Sequence, residues 1–204
     1  MGIFDSIKNQ AKAQLQREVR QAADSAVQSI GSGKNRSESF TFSAVPSDLA
    51  ELKALPKASL DSAFKTAALA VLSLCVYEKD PDIAFEMLNY LKGPEELSSY
   101  EKQFIKERLE GKSYKPRSFF KGATPENNYK HSEPYVISVS ETPYSFKEDN
   151  WATLYVASGG ADSPRSVKLR KKPSTGQWFL NELQCLSPRI RGHSLYRLRN
   201  KKAA

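Results

Sequence analysis

The hydrophobic pattern of residues 1–30 is helical and forms one narrow stripe. Apolar side chains recur there every three or four residues, an average of about 3.7 that is close to an 11-residue helical repeat. The stripe consists of Phe4, Ile7, Ala11, Leu15, Val19, Ala22, Ala26 and Ile30, with Val27 beside it. Because it is narrow and rich in alanine, the stripe buries little surface by itself. The pattern therefore predicts a separate amphipathic helix that needs a partner.

The pattern changes after this helix. Residues 31–37 are rich in Gly and Ser, a composition typical of a flexible linker. Apolar positions have helical periods from residue 47 to residue 111, whereas later segments alternate with a period of two. The alternating segments are Tyr135–Ser140, Trp151–Ala157 and Val167–Lys171, with Gln177–Leu183 less regular. Residues 38–186 are thus predicted to form an α+β domain, a helical layer followed by a C-terminal antiparallel meander of three or four strands.

Capping residues predict where the elements of this domain begin. Phe40 and Phe42 alternate with polar residues and indicate a short strand. Helix starts are predicted at Ser47, at Ser59, at Asp80-Pro81 and at Ser98, where Ser98 and Glu101 have the spacing of a capping box. The second of these helices is expected to run to Tyr77 and to be the central core helix. Residues 114–134 are mostly polar and contain three prolines, which predicts a long surface loop.

The net charge of +8 is distributed unevenly along the 204 residues. Residues 38–186 carry 19 basic and 20 acidic side chains, so the predicted domain is close to neutral. Residues 187–204 carry six basic side chains and no acidic ones, which predicts a basic C-terminal tail. The excess charge therefore directs attention to the two ends of the chain rather than to a nucleic-acid-binding body.

The candidate partner-binding residues are the large members of the N-terminal stripe. They are Phe4, Ile7, Leu15, Val19, Val27 and Ile30. Each would contribute about 1.5–3 kcal/mol if fully buried. The stripe fits a protein surface, including that of a second copy of the chain. It also fits a membrane surface, where apolar side chains insert and lysines meet anionic headgroups. Few aromatic residues and nearly balanced charge favour the protein partner.

The candidate anion-binding residues lie in the predicted basic tail. They are Arg189, Arg191, Arg197, Arg199, Lys201 and Lys202, with Tyr196 among them. Such a segment could follow a phosphate backbone, and the tyrosine ring could stack on a base. No folded nucleic-acid recognition motif accompanies these residues in the sequence, so nucleic acid is the third partner considered.

Residue types that support catalysis or metal binding are sparse. The two histidines, His131 and His193, lie in no recognisable nucleophile or metal-binding pattern. Cys75 and Cys185 stand in apolar runs and are predicted to be small buried hydrophobic residues in a reducing compartment. The sequence therefore predicts no cofactor and no metal, and it favours a non-enzymatic function.

No apolar run is long enough to cross a bilayer. The longest, Ala67–Tyr77, is shorter than the ~20 residues that a membrane-spanning helix needs. We therefore expect a cytoplasmic protein, peripheral to the membrane if its N-terminal helix binds lipid.

The stretch from Ala68 to Glu182 resembles an uncharacterised bacterial family of domains of unknown function. Three segments in its helical half carry the resemblance: Glu78-Lys-Asp-Pro81, Leu91-Lys-Gly-Pro94 and Tyr100-Glu-Lys-Gln-Phe-Ile105. Three more follow in its strand half: Ser158-Gly-Gly-Ala-Asp-Ser-Pro-Arg165, Lys168-Leu-Arg170 and Gln177-Trp-Phe-Leu180. The resemblance implies a bacterial source and a cytosolic α+β domain, and it brings no catalytic residues. In architecture the chain also resembles nuclear-transport-factor-like folds, in which helices precede a meander that ends in a Trp-bearing strand.

Three functions follow from these observations. The first is a non-enzymatic interaction or adaptor module, whose N-terminal helix docks on a protein partner or a membrane surface. The second is a ligand-binding or catalytic pocket between the sheet and the helices, as the nuclear-transport-factor likeness implies. The third is weak nucleic-acid binding through the basic tail.

Overall fold

The structure is a computed structural model, and it describes residues 36–187 and 190–192 of the chain. The predicted N-terminal helix, five of the seven residues of the predicted linker, and residues 188, 189 and 193–204 lie outside the described residues. In the described part, helices pack on a five-stranded antiparallel sheet. The predicted α+β class is therefore confirmed.

The sheet contains one strand more than the predicted meander. Its strands are β1 (Ser37–Phe42), β2 (Tyr135–Ser140), β3 (Trp151–Val156), β4 (Arg165–Lys171) and β5 (Trp178–Glu182). They lie in the order β1-β2-β3-β4-β5, and each neighbouring pair is antiparallel. The additional strand is β1, which comes before all the helices and pairs with β2 along its whole length. The order leaves β5 with one neighbouring strand, so β5 is an edge of the sheet.

The helices lie between β1 and β2 in the chain. They are α1 (Leu49–Ala54), α2 (Ala63–Leu74), α3 (Pro81–Lys92), α4 (Ser99–Leu109) and the short α5 (Tyr114–Arg117). Short 3₁₀ turns follow at Pro125–Asn127 and at Gln184–Leu186. Every residue of α2 except Lys65 is buried, and α2 contacts all five strands. It is therefore the central core helix that its almost uniformly apolar sequence predicts.

Local capping chemistry places α3 and α4 where the sequence predicts them. The Asp80 carboxylate accepts hydrogen bonds from the amides of Asp82 and Ile83, both at 3.0 Å, and Pro81 begins α3. At α4 the Ser98 amide donates to the Glu101 carboxylate at 2.8 Å, and the Glu101 amide donates to the Ser98 hydroxyl at 3.2 Å. Both predicted starts are confirmed, because each depends on contacts within four residues.

Two predicted helix starts are wrong. The first helix is capped by Asp48, whose side chain accepts from the Glu51 amide, rather than by Ser47. The central helix begins at Ala63 rather than after Ser59, because the backbone at Leu60 adopts φ +58° and turns the chain before the helix starts. Leu60 is itself buried, so packing against the core stabilises a conformation that leucine rarely adopts.

The prediction of a surface loop over residues 114–134 is also wrong. This segment contains the short helix α5, and it buries Phe119, Phe120, Ala123 and Tyr129. Phe120 forms an isolated bridge with Ile137 of β2, on the side that β3 leaves open. The segment therefore completes the sheet and the core. The sequence did not predict this packing, because the segment is rich in polar residues and prolines and its apolar side chains have no regular period.

The chain beyond the 3₁₀ turn at Gln184–Leu186 still contacts the domain. Ile190 is buried, and the Arg191 amide donates to the carbonyl of Gly160 at 2.8 Å. The predicted basic tail from residue 187 thus begins with residues that pack against the body. None of the helices in the described part of the chain has the length and apolar character needed to cross a membrane.

Candidate functional site

A groove lies between α4 and the edge strand β5. It has a volume of about 250 Å³ and continues along the 3₁₀ turn that follows β5. Six apolar or aromatic side chains line it: Leu97, Tyr100, Phe104, Ile105, Leu180 and Leu183. We call this feature the α4–β5 groove. It lies at the edge of the sheet, outside the space between α2 and the sheet, which buried side chains fill.

Helical spacing brings one wall of the groove together. Tyr100 and Phe104 are four residues apart, so they share one face of α4, and Ile105 follows Phe104 directly. Ile105 is turned into the core, whereas Tyr100 is 80% exposed. An exposed aromatic side chain beside buried apolar ones is typical of a surface that can bind another molecule.

The floor of the groove contains a partly buried ion pair. The Lys92 ammonium, with 8% of its side chain exposed, lies 2.6 Å from a Glu101 carboxylate oxygen. The same ammonium donates to the carbonyl of Asn181 in β5 at 3.4 Å. Lys92 comes from the end of α3, so this one side chain connects three elements. The ion pair therefore holds the two walls of the groove in position.

Glu101 has two structural roles. One carboxylate oxygen closes the capping box with Ser98, and the other accepts from Lys92. Burial acts to raise the pKa of the Glu101 carboxyl, but hydrogen bonds from Lys92 and Ser98 and the Lys92 charge outweigh it. The pKa of Glu101 is consequently lowered, and the carboxylate is ionised at neutral pH.

The turn after α3 wraps around the edge of the sheet. Arg170 donates to the carbonyl of Lys92 at 3.2 Å and pairs with the Glu95 carboxylate at 3.2 Å. Gly93 has φ +74°, and a Cβ atom there would lie 2.4 Å from the ring of Phe179. Glycine is thus required for both conformation and close approach. The resemblance segment Leu91–Pro94 is therefore a structural feature that positions the floor of the groove.

A second concavity lies beside the first residues of β3. It has a volume of about 410 Å³ and lies beside Tyr144, Trp151 and Lys168. Tyr144 is 75% exposed, but the Lys168 ammonium lies 4.9 Å from the centre of the Trp151 ring and occupies that aromatic surface. In the α4–β5 groove the Arg108 guanidinium lies 5.2 Å from the centre of the Phe104 ring, whereas Tyr100 stays exposed. We regard this smaller and more apolar groove as the better candidate, since six apolar or aromatic side chains line it.

The structure describes one of the residues predicted to bind a partner or an anion. Outside its described residues are Phe4, Ile7, Leu15, Val19, Val27 and Ile30 of the N-terminal stripe, and Arg189, Arg197, Arg199, Lys201 and Lys202 of the tail. Arg191 is described, and its guanidinium lies 3.5 Å from the Asp162 carboxylate. Its carbonyl accepts a hydrogen bond from the Tyr129 hydroxyl. Arg191 therefore has partners within the domain.

Both cysteines are free thiols in the structure. Cys185 is buried, and Cys75 is partly exposed, with its sulfur donating to the Val71 carbonyl at 3.4 Å. Burial raises the pKa of both thiols to about 12. The thiolate form that reacts as a nucleophile is therefore strongly disfavoured. The predicted burial is confirmed for Cys185 and is wrong for Cys75, which is partly exposed.

Sequence reasoning did not identify the groove. Glu101 was the one groove residue that belonged to a recognisable sequence pattern, and the capping box with Ser98 accounted for that pattern. The partners that give the groove its shape, Lys92 and Asn181, are separated by 89 residues. A contact between residues so far apart in the chain leaves no local pattern in the sequence. It can be recognised once the arrangement of the helices and strands is known.

A comparison with protein-family models identifies the family of the described domain. A family model for a domain of unknown function (DUF6935) matches residues 44–193, more than half of the chain. The chain belongs to the DUF6935 family. This match confirms the predicted resemblance and extends it at both ends. A search of curated proteins and a search of solved structures each found no match. The likeness to nuclear-transport-factor-like folds therefore stays a prediction.

The DUF6935 match includes every residue of the α4–β5 groove and the segment that carries Ile190 and Arg191. It begins after β1, the edge strand that pairs with β2. The groove is thus part of the family domain itself.

Proposed function

We propose that the DUF6935 domain of this chain is a protein-binding module that holds apolar side chains of a partner segment in the α4–β5 groove. The observation that carries the proposal is the arrangement of Tyr100 and Phe104 over the groove. Tyr100 is 80% exposed at the rim, and Phe104 is half-buried below it. A partner that covered the Tyr100 ring would bury aromatic surface, which dominates the energetics of interfaces.

The size of the groove supports side chains of a peptide as the occupant. Its volume of about 250 Å³ is below the roughly 300–1,000 Å³ of sites that enclose a whole small molecule. The edge of β5 is also occupied, because the Trp178 amide donates to the Leu60 carbonyl and Asn181 accepts from Lys92. A partner would therefore bind by inserting side chains rather than by adding a strand.

Charge at the rim specifies the partner further. Glu182 lines the groove and accepts hydrogen bonds from the side chains of Asn181 and Gln184. No cation of the described residues pairs with it. A lysine or arginine next to the inserted apolar side chains would complement this carboxylate. The proposed partner segment thus has a few apolar residues and an adjacent basic one.

The predicted N-terminal helix would give the module a second attachment point. Its stripe from Phe4 to Ile30 would dock on a protein or a membrane surface, as the sequence suggests. An adaptor needs two such contacts, one to locate it and one to recruit a partner. In a cell-fractionation and pull-down comparison, deletion of residues 1–30 should change location or co-purification. An unchanged profile would remove the helix from the proposal.

Selection of short peptides tests the groove. A displayed library of random short peptides is selected on the full chain, and the affinity of enriched peptides is then measured for variants. We expect apolar residues with a neighbouring lysine or arginine, and a loss of affinity of about tenfold in Tyr100→Ser. Tyr144→Ser is the matched control, because Tyr144 is a similarly exposed tyrosine outside the groove. Equal affinities for wild type and Tyr100→Ser would refute the proposal.

A second candidate is a ligand-binding pocket in the α4–β5 groove, where the Lys92 ammonium lines an otherwise mostly apolar wall. The sequence predicts such a pocket at another place, between the sheet and the helices. A small amphiphile bound in the groove would shift the NMR signals of Leu180 and Leu183 without any peptide. A fragment screen by NMR distinguishes the two candidates. Saturable fragment binding combined with failure of the peptide selection would favour the ligand pocket.

A further inference from the structure

The chain passes the α4–β5 groove shortly before its C-terminal residues. Ser187, which follows the 3₁₀ turn after β5, lines the groove. Three residues later Ile190 is buried, and the Arg191 amide donates to the Gly160 carbonyl at 2.8 Å. The Arg191 carbonyl accepts from the Tyr129 hydroxyl. The chain is therefore attached to the body at Ser187 beside the groove and again at residues 190 and 191.

The residues after this second attachment are numerous enough to return to the groove. An extended chain covers at most about 3.6 Å per residue, so Gly192 lies within about 18 Å of Ser187. By the same rule the six residues from Gly192 to Leu198 span up to about 21 Å. The length of the chain therefore allows Leu198 to lie beside Ser187 in the same molecule.

The sequence of residues 195–199, which we call the tail segment, has the composition that the groove favours. The segment combines three apolar or aromatic residues with two arginines: Leu195, Tyr196, Arg197, Leu198 and Arg199. Most side chains that line the groove are apolar or aromatic. Apolar side chains with a basic neighbour therefore complement the groove in the way already inferred for its partner.

Charge favours the same placement. The charged side chains that line the groove are Lys92, Glu101 and Glu182, which sum to a net charge of −1. Because Lys92 pairs with Glu101, the surplus negative charge belongs to Glu182. Residues 193–204 carry four basic side chains and no acidic one. The tail segment thus brings cations to a groove with one unpaired carboxylate among the described residues.

We propose that the tail segment occupies the α4–β5 groove of its own molecule, with leucine side chains against the apolar walls and an arginine next to Glu182. The inference rests on the proposed function, because it takes the groove to be a site for apolar side chains with a basic neighbour. A short covalent connection gives the segment a local concentration on the order of millimolar at the groove. This connection favours the segment of the same molecule over that of a second copy.

Occupancy of the groove by the tail segment would weaken the binding of any other partner. The apparent Kd of a site rises in inverse proportion to the fraction of molecules in which the site is open. A tail segment that fills the groove in about nine of ten molecules would therefore weaken a partner about tenfold. The partner of the proposed function would have to displace the segment.

Nuclear Overhauser contacts in the full chain test the proposal. The leucine methyl groups are labelled with ¹³C, and contacts to the ring protons of Tyr100 are recorded. We expect contacts from Leu195 or Leu198, and we expect the double variant Leu195→Ser/Leu198→Ser to lose them. The control is Ala203→Ser/Ala204→Ser, which changes two apolar residues beyond the tail segment and should retain the contacts. Absence of contacts in the wild type overturns the proposal.

The same spectra distinguish other occupants of the groove. A mixture in which one chain has labelled leucine methyls and the other has protonated tyrosine rings reports contacts between two copies. Contacts seen in this mixture and lost on dilution would overturn the proposal in favour of a second copy. Contacts to Tyr100 from Leu15 of the N-terminal stripe, in place of the tail leucines, would overturn it as well.

Peptide affinity gives a second readout. A peptide selected for the groove should bind Leu195→Ser/Leu198→Ser about tenfold more tightly than wild type, and Ala203→Ser/Ala204→Ser should bind it like wild type. Equal affinities for all three chains would overturn the proposal. That result leaves the proposed function standing as long as Tyr100→Ser weakens the peptide. The proposed function fails separately, when Tyr100→Ser has no effect on peptides selected with either the wild type or the tail variant.

Discussion

The ion pair in the floor of the α4–β5 groove gives a quantitative prediction. Glu101→Gln removes the negative charge next to the buried Lys92 ammonium but preserves the shape of the side chain. Glutamine at this position also supports a capping box with Ser98, so the start of α4 is retained. The substitution therefore separates the ion pair from the helix cap, although both depend on the same side chain in the wild type.

The expected loss of unfolding free energy is about 1–2 kcal/mol at neutral pH. Removal of one partner from a fully buried pair costs roughly 3–5 kcal/mol, because the remaining charge is left uncompensated. The side chain of Glu101 is 32% exposed, and exposed pairs contribute roughly 0–1 kcal/mol. Lys92 is much less exposed, so the value falls between these limits.

The pH dependence has a definite sign. The pKa of Glu101 is lower in the folded state than in the unfolded chain. The stabilisation is therefore fully present above the ordinary glutamate value of about 4.3 and is lost as the pH falls through the folded-state pKa. The difference between wild type and Glu101→Gln should be constant from neutral pH to about 5 and should shrink below about 4.

Urea unfolding followed by circular dichroism measures this difference at each pH. Glu107→Gln is the matched control, an exposed glutamate on the same helix whose hydrogen-bond partner is Gln103, and it should change stability by less than about 0.5 kcal/mol. A Glu101→Gln effect that is equal at pH 7 and in acid would refute the ion-pair explanation. An effect no larger than that of Glu107→Gln would refute the claim that the pair stabilises the groove.

Three further predictions concern other parts of the domain. Asp80→Ala removes two cap hydrogen bonds of α3 and should lower the unfolding free energy by about 1 kcal/mol in urea, whereas no change would show that the cap is dispensable. Gly160→Ala places a Cβ 2.2 Å from the Tyr129 hydroxyl and 2.7 Å from Ile190. It should lower stability by about 1–3 kcal/mol in thermal unfolding, more than Ala161→Ser at the neighbouring, partly exposed position, and equal effects would contradict the packing. Cys185 should resist thiol reagents at pH 8 until the chain is unfolded by urea, because its pKa of about 12 suppresses the thiolate, and rapid labelling of the native state would contradict this.

Local chemistry explains which parts of the fold could be predicted. Asp80-Pro81 and the Ser98–Glu101 pair mark helix starts through contacts made within four residues, so the sequence contains the whole signal. Three of the four predicted later strands have the two-residue alternation of a sheet with one buried face, and the fourth was ambiguous because Phe179 and Leu180 are both buried. Where a start depended on tertiary packing, as at Leu60, the prediction was wrong.

The segment from residue 114 to 134 shows why the remaining parts could not be predicted. Phe119 and Phe120 are adjacent in the sequence and both buried, a pattern typical of neither a helix face nor a half-exposed strand. Phe120 fills the place beside β2 that the short β2–β3 pairing leaves open. The position of this gap depends on where β2 and β3 stop pairing. The sequence of residues 114–134 contains no information about that position.

The same limit applies to charge. Residues 38–186 are almost neutral in sum, which led the sequence-based hypothesis to place anion binding in the tail. Within this neutral total, the fold gives some cations a carboxylate partner and others none. Lys92 pairs with Glu101, and Arg170 pairs with Glu95. Lys115, by contrast, forms no ion pair with a carboxylate of the described residues. Net charge summed over a domain therefore says little about anion binding, since the deciding quantity is which cations the fold leaves unpaired.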